Sequence, residues 1–165
     1  MGVTFNADEI FEIAEQIERN GARFYRKATE ASISVRSREL LLRLAAMEDE
    51  HEKTFAAMRA DLTRQESAPL VFDPDDQAIL YLRAVADGKI FDLNADPSKR
   101  LTGTETIQEV LAIAVGLEKE SIVFYTGIKE TVPEHLGKDK VEAIIREEME
   151  HLTTLSNELA SLKKT

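Results

Sequence analysis

The phrase Glu-x-x-His occurs twice in this chain, as Glu48-Asp49-Glu50-His51 and as Glu148-Met149-Glu150-His151. A second shared phrase lies upstream of each: Ile17-Glu18 leads to Phe24-Tyr25, and Leu117-Glu118 leads to Phe124-Tyr125. All of these counterparts are separated by the same interval of 100 residues. Four glutamates and two histidines delivered by four helices make up a di-metal carboxylate site. The repeat therefore constrains the chain to a fold that brings four helices together with these residues at one level.

Helical periodicity supports four long segments. The first runs from about Ala7 to Ala31, with Asn6 as N-cap and Glu9 placed as in a capping box. The second runs from about Val35 to Arg64, after a short turn near Ser32 and Ser34. The third runs from about Glu105 to Thr131. Thr102 with Glu105, Thr104, or Thr106 with Glu109 are each able to cap it. The fourth runs from about Lys138 to Lys163, after Pro133 and Gly137 punctuate the chain. Residues 65–103 form a long connection within what reads as one domain spanning 1–165. Its middle, Asp75 to Asp87, has the pattern of a short extra helix, capped by Asp73 and begun by Pro74. Short loops make helices one and two, and helices three and four, antiparallel. The long crossover is expected to start the third helix at the same end as the first. The fold class is all-α: a ferritin-like four-helix bundle with a long crossover between helices two and three that contains a short extra helix.

The inward stripes can be read by position. The first helix presents Phe11, Ala14, Glu18, Gly21, Tyr25 and Ala28. The second presents Leu41, Leu44, Glu48, His51, Phe55, Met58 and Leu62. The third presents Ile107, Leu111, Ala114, Glu118, Ser121, Tyr125 and Ile128. The fourth presents Val141, Ile144, Glu148, His151 and Leu155, then Leu159 or Leu162. Steps of three and four residues are the seam of a bundle helix, and the polar interruptions fall at matching depth in all four.

A glutamate on a charged helix is ordinarily solvated, and Glu50 and Glu150 fit that description. The surface reading fails for the set, because it must explain two motifs, two upstream glutamates on apolar stripes and one common interval. Four buried carboxylates at one level repel each other and are costly to ionise. Two divalent cations offset four carboxylate charges, while neutral imidazoles add none. Hard oxygen ligands with imidazole suit iron, and manganese or zinc accept the same donors. Tyr25 and Tyr125 follow their glutamates by two helical turns on the same face, where a hydroxyl can orient a ligand carboxylate. Phe24 and Phe124 read as core, and His135 as an exposed loop residue. His51-Glu52 begins like the zinc-protease phrase His-Glu-x-x-His, but position 55 is Phe.

Composition narrows the function. Cysteine is absent, which excludes thiolate catalysis, disulfides and iron–sulfur ligation. The net charge of −10 and the lack of a Lys/Arg cluster disfavour nucleic acid. No apolar run approaches the roughly 20 residues of a membrane span. Residues 1–6 lack the basic and apolar regions of a signal peptide, so a cytoplasmic location is expected.

At Glu18 with Gly21 and Phe24-Tyr25, Glu48-x-x-His51, Glu118 with Phe124-Tyr125, and Glu148-x-x-His151, the chain resembles the rubrerythrin family of ferritin-like proteins. The resemblance covers nearly the whole chain apart from most of the crossover. It implies a di-iron centre in which Glu18 and Glu118 are terminal carboxylates, Glu48 and Glu148 bridge or cap, and His51 and His151 each supply a nitrogen. It further implies an oxidoreductase that reacts with peroxide or dioxygen, and a homodimer. Rubrerythrins normally receive electrons through a rubredoxin-like iron site on the same chain. Without cysteine, this chain would need an external donor such as a rubredoxin-like protein. Rubrerythrins also carry a glutamate three residues after the third-helix ligand, where this chain has Ser121. Two other functions fit the same ligands: an iron-binding, ferroxidase-type protein for iron handling, and a non-catalytic domain with structural metals.

Overall fold

The structure, a computed structural model, describes residues 7–31, 33–61, 80, 81, 84, 95–132, 134 and 137–162. Its long helices are α1 (Ala7–Ala28), α2 (Val35–Asp61), α3 (Ile107–Thr131) and α4 (Lys138–Leu162), with a 3-10 turn at Pro97–Arg100. Asn6, Leu62 and His135 lie outside the described residues, as does most of the expected extra helix, of which Leu80, Tyr81 and Ala84 are helical.

Local chemistry sets the helix ends. α1 stops three residues short of the expected end, where Thr29, Glu30 and Ala31 donate to Arg26, Lys27 and Ala28 carbonyls. These tighter i to i−3 bonds satisfy carbonyls that the helix would otherwise leave open. At the start of α3, Thr106 and Glu109 form a reciprocal capping box. Glu105 instead folds back onto Thr102 and Gly103, accepting from both backbone amides. The third helix therefore begins at Ile107, two residues after the expected start. Gly137 has φ +101°, and its carbonyl accepts from Lys140 and Val141 to begin α4.

The stripes pack into two apolar clusters, one on each side of a polar layer. One cluster joins Phe11 and Ala14 of α1, Phe55 and Met58 of α2, Tyr125 and Ile128 of α3, and Val141 and Ile144 of α4. The other joins Tyr25 and Ala28, Leu41 and Leu44, Leu111 and Ala114, and Leu155. The stripe positions between them are Glu18, Gly21, Glu48, His51, Glu118, Ser121, Glu148 and His151. Beyond Leu155, Leu159 and Leu162 are only partly buried. The buried residue there is Glu158, paired with Arg36 at 3.0 Å.

This division also fixes direction. α1 and α4 run from the first cluster to the second, and α2 and α3 run the opposite way. The third helix therefore starts where the first ends, not at the same end as the first. The reason lies in the 3-10 turn just before α3. α2 ends at the first cluster, and the 3-10 turn that precedes α3 is fastened to the C-terminal half of α1. Arg23 pairs with Asp96 at 2.7 Å, and Lys27 donates to the Ser98 carbonyl at 2.9 Å. The result is an all-α four-helix bundle with parallel α2 and α3. Among the described residues, no helix is long and apolar enough to cross a membrane.

A β-carbon at Gly137 would lie 3.0 Å from Met58 Cε, in a backbone conformation that side chains rarely adopt. Gly137→Ala is expected to lower stability by about 1–3 kcal/mol, measured by urea denaturation at matched metal content.

Candidate metal centre

Each helix crosses the polar layer near its middle, so a rigid element on both sides holds every functional side chain. Glu18 and Glu148 are fully buried, and Glu48, His51, Glu118 and His151 are at most 4% exposed. The six residues form two overlapping groups. One contains Glu18, Glu48, His51 and Glu148, and the other contains Glu48, Glu118, Glu148 and His151. Within each group, one donor atom per residue lies within 4.8 Å of all the others. Glu48 and Glu148 belong to both groups, whereas Glu18, Glu118 and each histidine belong to one.

Glu148 faces both imidazoles. Its Oε1 is 3.0 Å from His51 Nδ1, and its Oε2 is 3.1 Å from His151 Nδ1. His51 Nδ1 also approaches Glu18 Oε2 at 3.3 Å. On the other side, His151 Nδ1 lies 3.5 Å from Glu48 Oε1 and 3.7 Å from Glu118 Oε1. The rings of His51 and His151 stack at 5.7 Å.

Among the described residues, Glu18 Oε2, Glu48 Oε1, His51 Nδ1, Glu148 Oε1 and His151 Nε2 are buried without a hydrogen-bond partner. Orphaned polar atoms in a core are costly. Three of them, on Glu18, His51 and Glu148, converge at 3.0–3.3 Å without hydrogen-bond geometry. Donors at right angles on a shared cation, each about 2.1 Å from it, sit about 3.0 Å from one another. The donor set and its spacing therefore fit metal ions.

The side chains of the layer shift one another's charges strongly. Burial, then the charge of Glu148, pushes the Glu48 carboxyl well above the ordinary carboxylate range. Glu118 is pushed well up by burial and by Glu48, and Glu18 is raised by burial and by Glu148. Glu148 moves the other way. Burial opposes its ionisation, but the hydrogen bond to His151 and the close His51 imidazole hold it far below that range. The imidazoles follow their carboxylates. Against the effect of burial, Glu148 and Glu18 push His51 up to about 12, and Glu118 and Glu148 push His151 up to about 12. The layer thus holds protons in place of the positive charge that cations would supply.

The tyrosines reach across the bundle. Tyr25 on α1 donates its hydroxyl proton to Glu118 on α3, and Tyr125 on α3 donates to Glu18 on α1. Both rings are buried in the flanking apolar clusters. Gly21 has a steric role, since a β-carbon there would lie 3.1 Å from Glu48 Oε2. Ser121, its counterpart, is buried and donates to the Leu117 carbonyl at 3.1 Å. Glu50 and Glu150 face solvent, and Phe24 and Phe124 are buried.

Sequence reasoning passed over Glu147. Its Oε2 lies 2.8 Å from His51 Nε2, on the ring edge that faces away from the layer. The available signal was its position immediately before Glu148, but a half-exposed glutamate on an acidic helix looks like any solvated one.

The rubrerythrin family model matches residues 9–159. Among solved structures, the chain is similar to a crystal structure of a Thermotoga maritima protein described as ferritin-like and diiron-carboxylate. The TM-score is 0.69 at 24% identity, covering 97% of this chain and 98% of that one. At this identity the likeness establishes the fold. No curated protein matches the chain. Together with the two buried Glu/His groups, the family places here a site of diiron-carboxylate type.

The shifted groups set a pH dependence for chelator-treated protein. Glu18, Glu48 and Glu118 have raised values in the folded state. Their contribution to stability is complete below the unfolded value near 4.5 and is lost as pH rises through the raised values. The histidine contribution is complete below 6.5 and is lost as pH rises toward about 12. The denaturation midpoint of metal-free protein should therefore fall from about pH 5 to pH 9, measured by circular dichroism. A rising midpoint would contradict this charge distribution.

Proposed function

This chain belongs to the rubrerythrin family, and on that premise we propose that it is a di-iron oxidoreductase. It would react with peroxide or dioxygen, using electrons from a separate donor protein. The observation that carries the reading is the pair of overlapping buried groups, each with one histidine and both sharing Glu48 and Glu148. In this reading Glu48 and Glu148 would serve both metal positions. Glu18 and His51 complete one position, and Glu118 and His151 complete the other. Iron held there would supply two electrons to an O–O bond; manganese or zinc would fit the same donors.

The protein's own residues prepare that chemistry. The two apolar clusters shield the layer from bulk water, which strengthens every electrostatic interaction inside it. Tyr25 and Tyr125 hold Glu118 and Glu18 in fixed orientations by donating to one oxygen of each. Glu148 spans both imidazoles, so a movement of its carboxylate would be felt at both positions. Gly21 makes room on α1 for the Glu48 carboxylate, and Ser121 keeps side-chain bulk small on α3, where a small oxygen substrate could sit. Peroxide reduction to two waters consumes two electrons and two protons. None of the 165 residues is a cysteine, so the electrons would come from a separate partner such as a rubredoxin-like protein.

Anaerobically reduced, iron-loaded protein mixed with hydrogen peroxide should oxidise faster than the same concentration of free ferrous iron, followed by stopped-flow absorbance. Oxidation no faster than in buffer would sink the enzyme reading. Gly21→Ala offers a second check, because its methyl group would press on Glu48. Metal affinity measured by chelator competition is expected to fall about tenfold, with helical content unchanged.

A further inference from the structure

The two histidines are related by the interval of 100 residues, and their Nδ1 atoms both face Glu148. Their outer ring edges are not equivalent. His51 Nε2 meets Glu147 Oε2 at 2.8 Å. Among the described residues, His151 Nε2 is buried with no hydrogen-bond partner. The sequence accounts for the difference. Counting back 100 residues from Glu147 gives Met47, whose thioether offers an imidazole N–H only a weak acceptor.

A carboxylate on the outer nitrogen of a ligating histidine has a definite physical effect. It places the proton on that nitrogen, leaves the inner nitrogen's lone pair free for a metal, holds the ring plane and raises the ligand's basicity. The His51 ring has that carboxylate, and the fixed ring plane it gives, before any metal arrives; the proton on its inner nitrogen leaves when a cation binds. The His151 ring has none of it from a side chain at the matching position. Glu147 is also well placed to act without disturbing the core. Its side chain is 46% exposed, while that of His51 is 4% exposed, so the contact ties a buried ring to the surface of α4.

We infer that Glu147 is a positioning residue that makes the two metal positions unequal, so that the position completed by Glu18 and His51 fills first and holds its ion more tightly. The position completed by Glu118 and His151 is the exchangeable one. The inference rests on the reading of the layer as a di-metal centre and adds an order of occupancy. A centre with one resident ion and one exchangeable ion keeps its shape when partly loaded, because Glu48 and Glu148 remain anchored by the first ion.

The chain has three histidines, so nitrogen-15 imidazole resonances can be assigned by single replacements and followed during a titration of metal-free protein with zinc. In the wild-type protein, the His51 signals should shift to completion near one equivalent, and those of His151 between one and two. Glu147→Ala should abolish the order, with both rings shifting together and the first-step affinity reduced about 10- to 100-fold. Glu147→Gln keeps an oxygen acceptor and should retain the order. Parallel shifts in the wild type, or an order that survives Glu147→Ala, would overturn the inference while leaving the di-metal reading intact. If neither ring shifts by two equivalents of zinc, the di-metal reading itself fails, and this inference with it.

Discussion

Four carboxylates and two imidazoles share one level of this bundle, each at most 4% exposed, and apolar side chains close the layer on both sides. Like charges at this spacing in a low-dielectric interior repel strongly. The carboxylates must therefore be protonated, paired with imidazolium or neutralised by cations. The side chains by themselves use the first two routes: three glutamates are pushed toward the neutral acid, and the histidines are held cationic against Glu148. Neither route gives the orphaned inward-facing atoms of Glu18, Glu48, His51 and Glu148 a partner. Two metal ions can do both, which links the charge of the layer, its geometry and its chemistry.

The remainder of the structure answers to that layer. Long helices carry it at mid-length, so each donor is braced by turns above and below. The crossover brings α3 back to start beside the end of α1, which sets these two helices antiparallel. That direction is what lets Tyr25 reach Glu118 while Tyr125 reaches Glu18. Had α3 started beside the N-terminus of α1, the two tyrosines would lie on the same side of the layer. The fastening of the 3-10 turn through Arg23, Asp96, Lys27 and Ser98 therefore bears on the site even though it lies away from it.

Much of this was legible in the chain because bundle helices repeat their inward positions every three or four residues. A glutamate or histidine that interrupts such a stripe is conspicuous, and a common interval of 100 residues tied the interruptions together. Helix ends were less legible. Thr102, Thr104 and Thr106 all precede acidic residues, and only the geometry shows Glu109 answering Thr106 while Glu105 turns back to Thr102. The direction of α3 was misjudged, since the length of a crossover does not say at which end it delivers the next helix. Glu147 was invisible for a different reason. Its role depends on an edge of His51 that faces another helix, and no periodic signal separates it from its solvated neighbours.

The central claim is that the polar layer is a two-metal centre, and stoichiometry tests it most directly. Protein stripped of metal, titrated anaerobically with ferrous iron and then desalted, should retain two ions per chain. Replacement of the shared Glu48 by Gln should lower that number. Retention of fewer than one ion per chain by the unaltered protein, or two ions kept equally well after Glu48→Gln, would contradict the account.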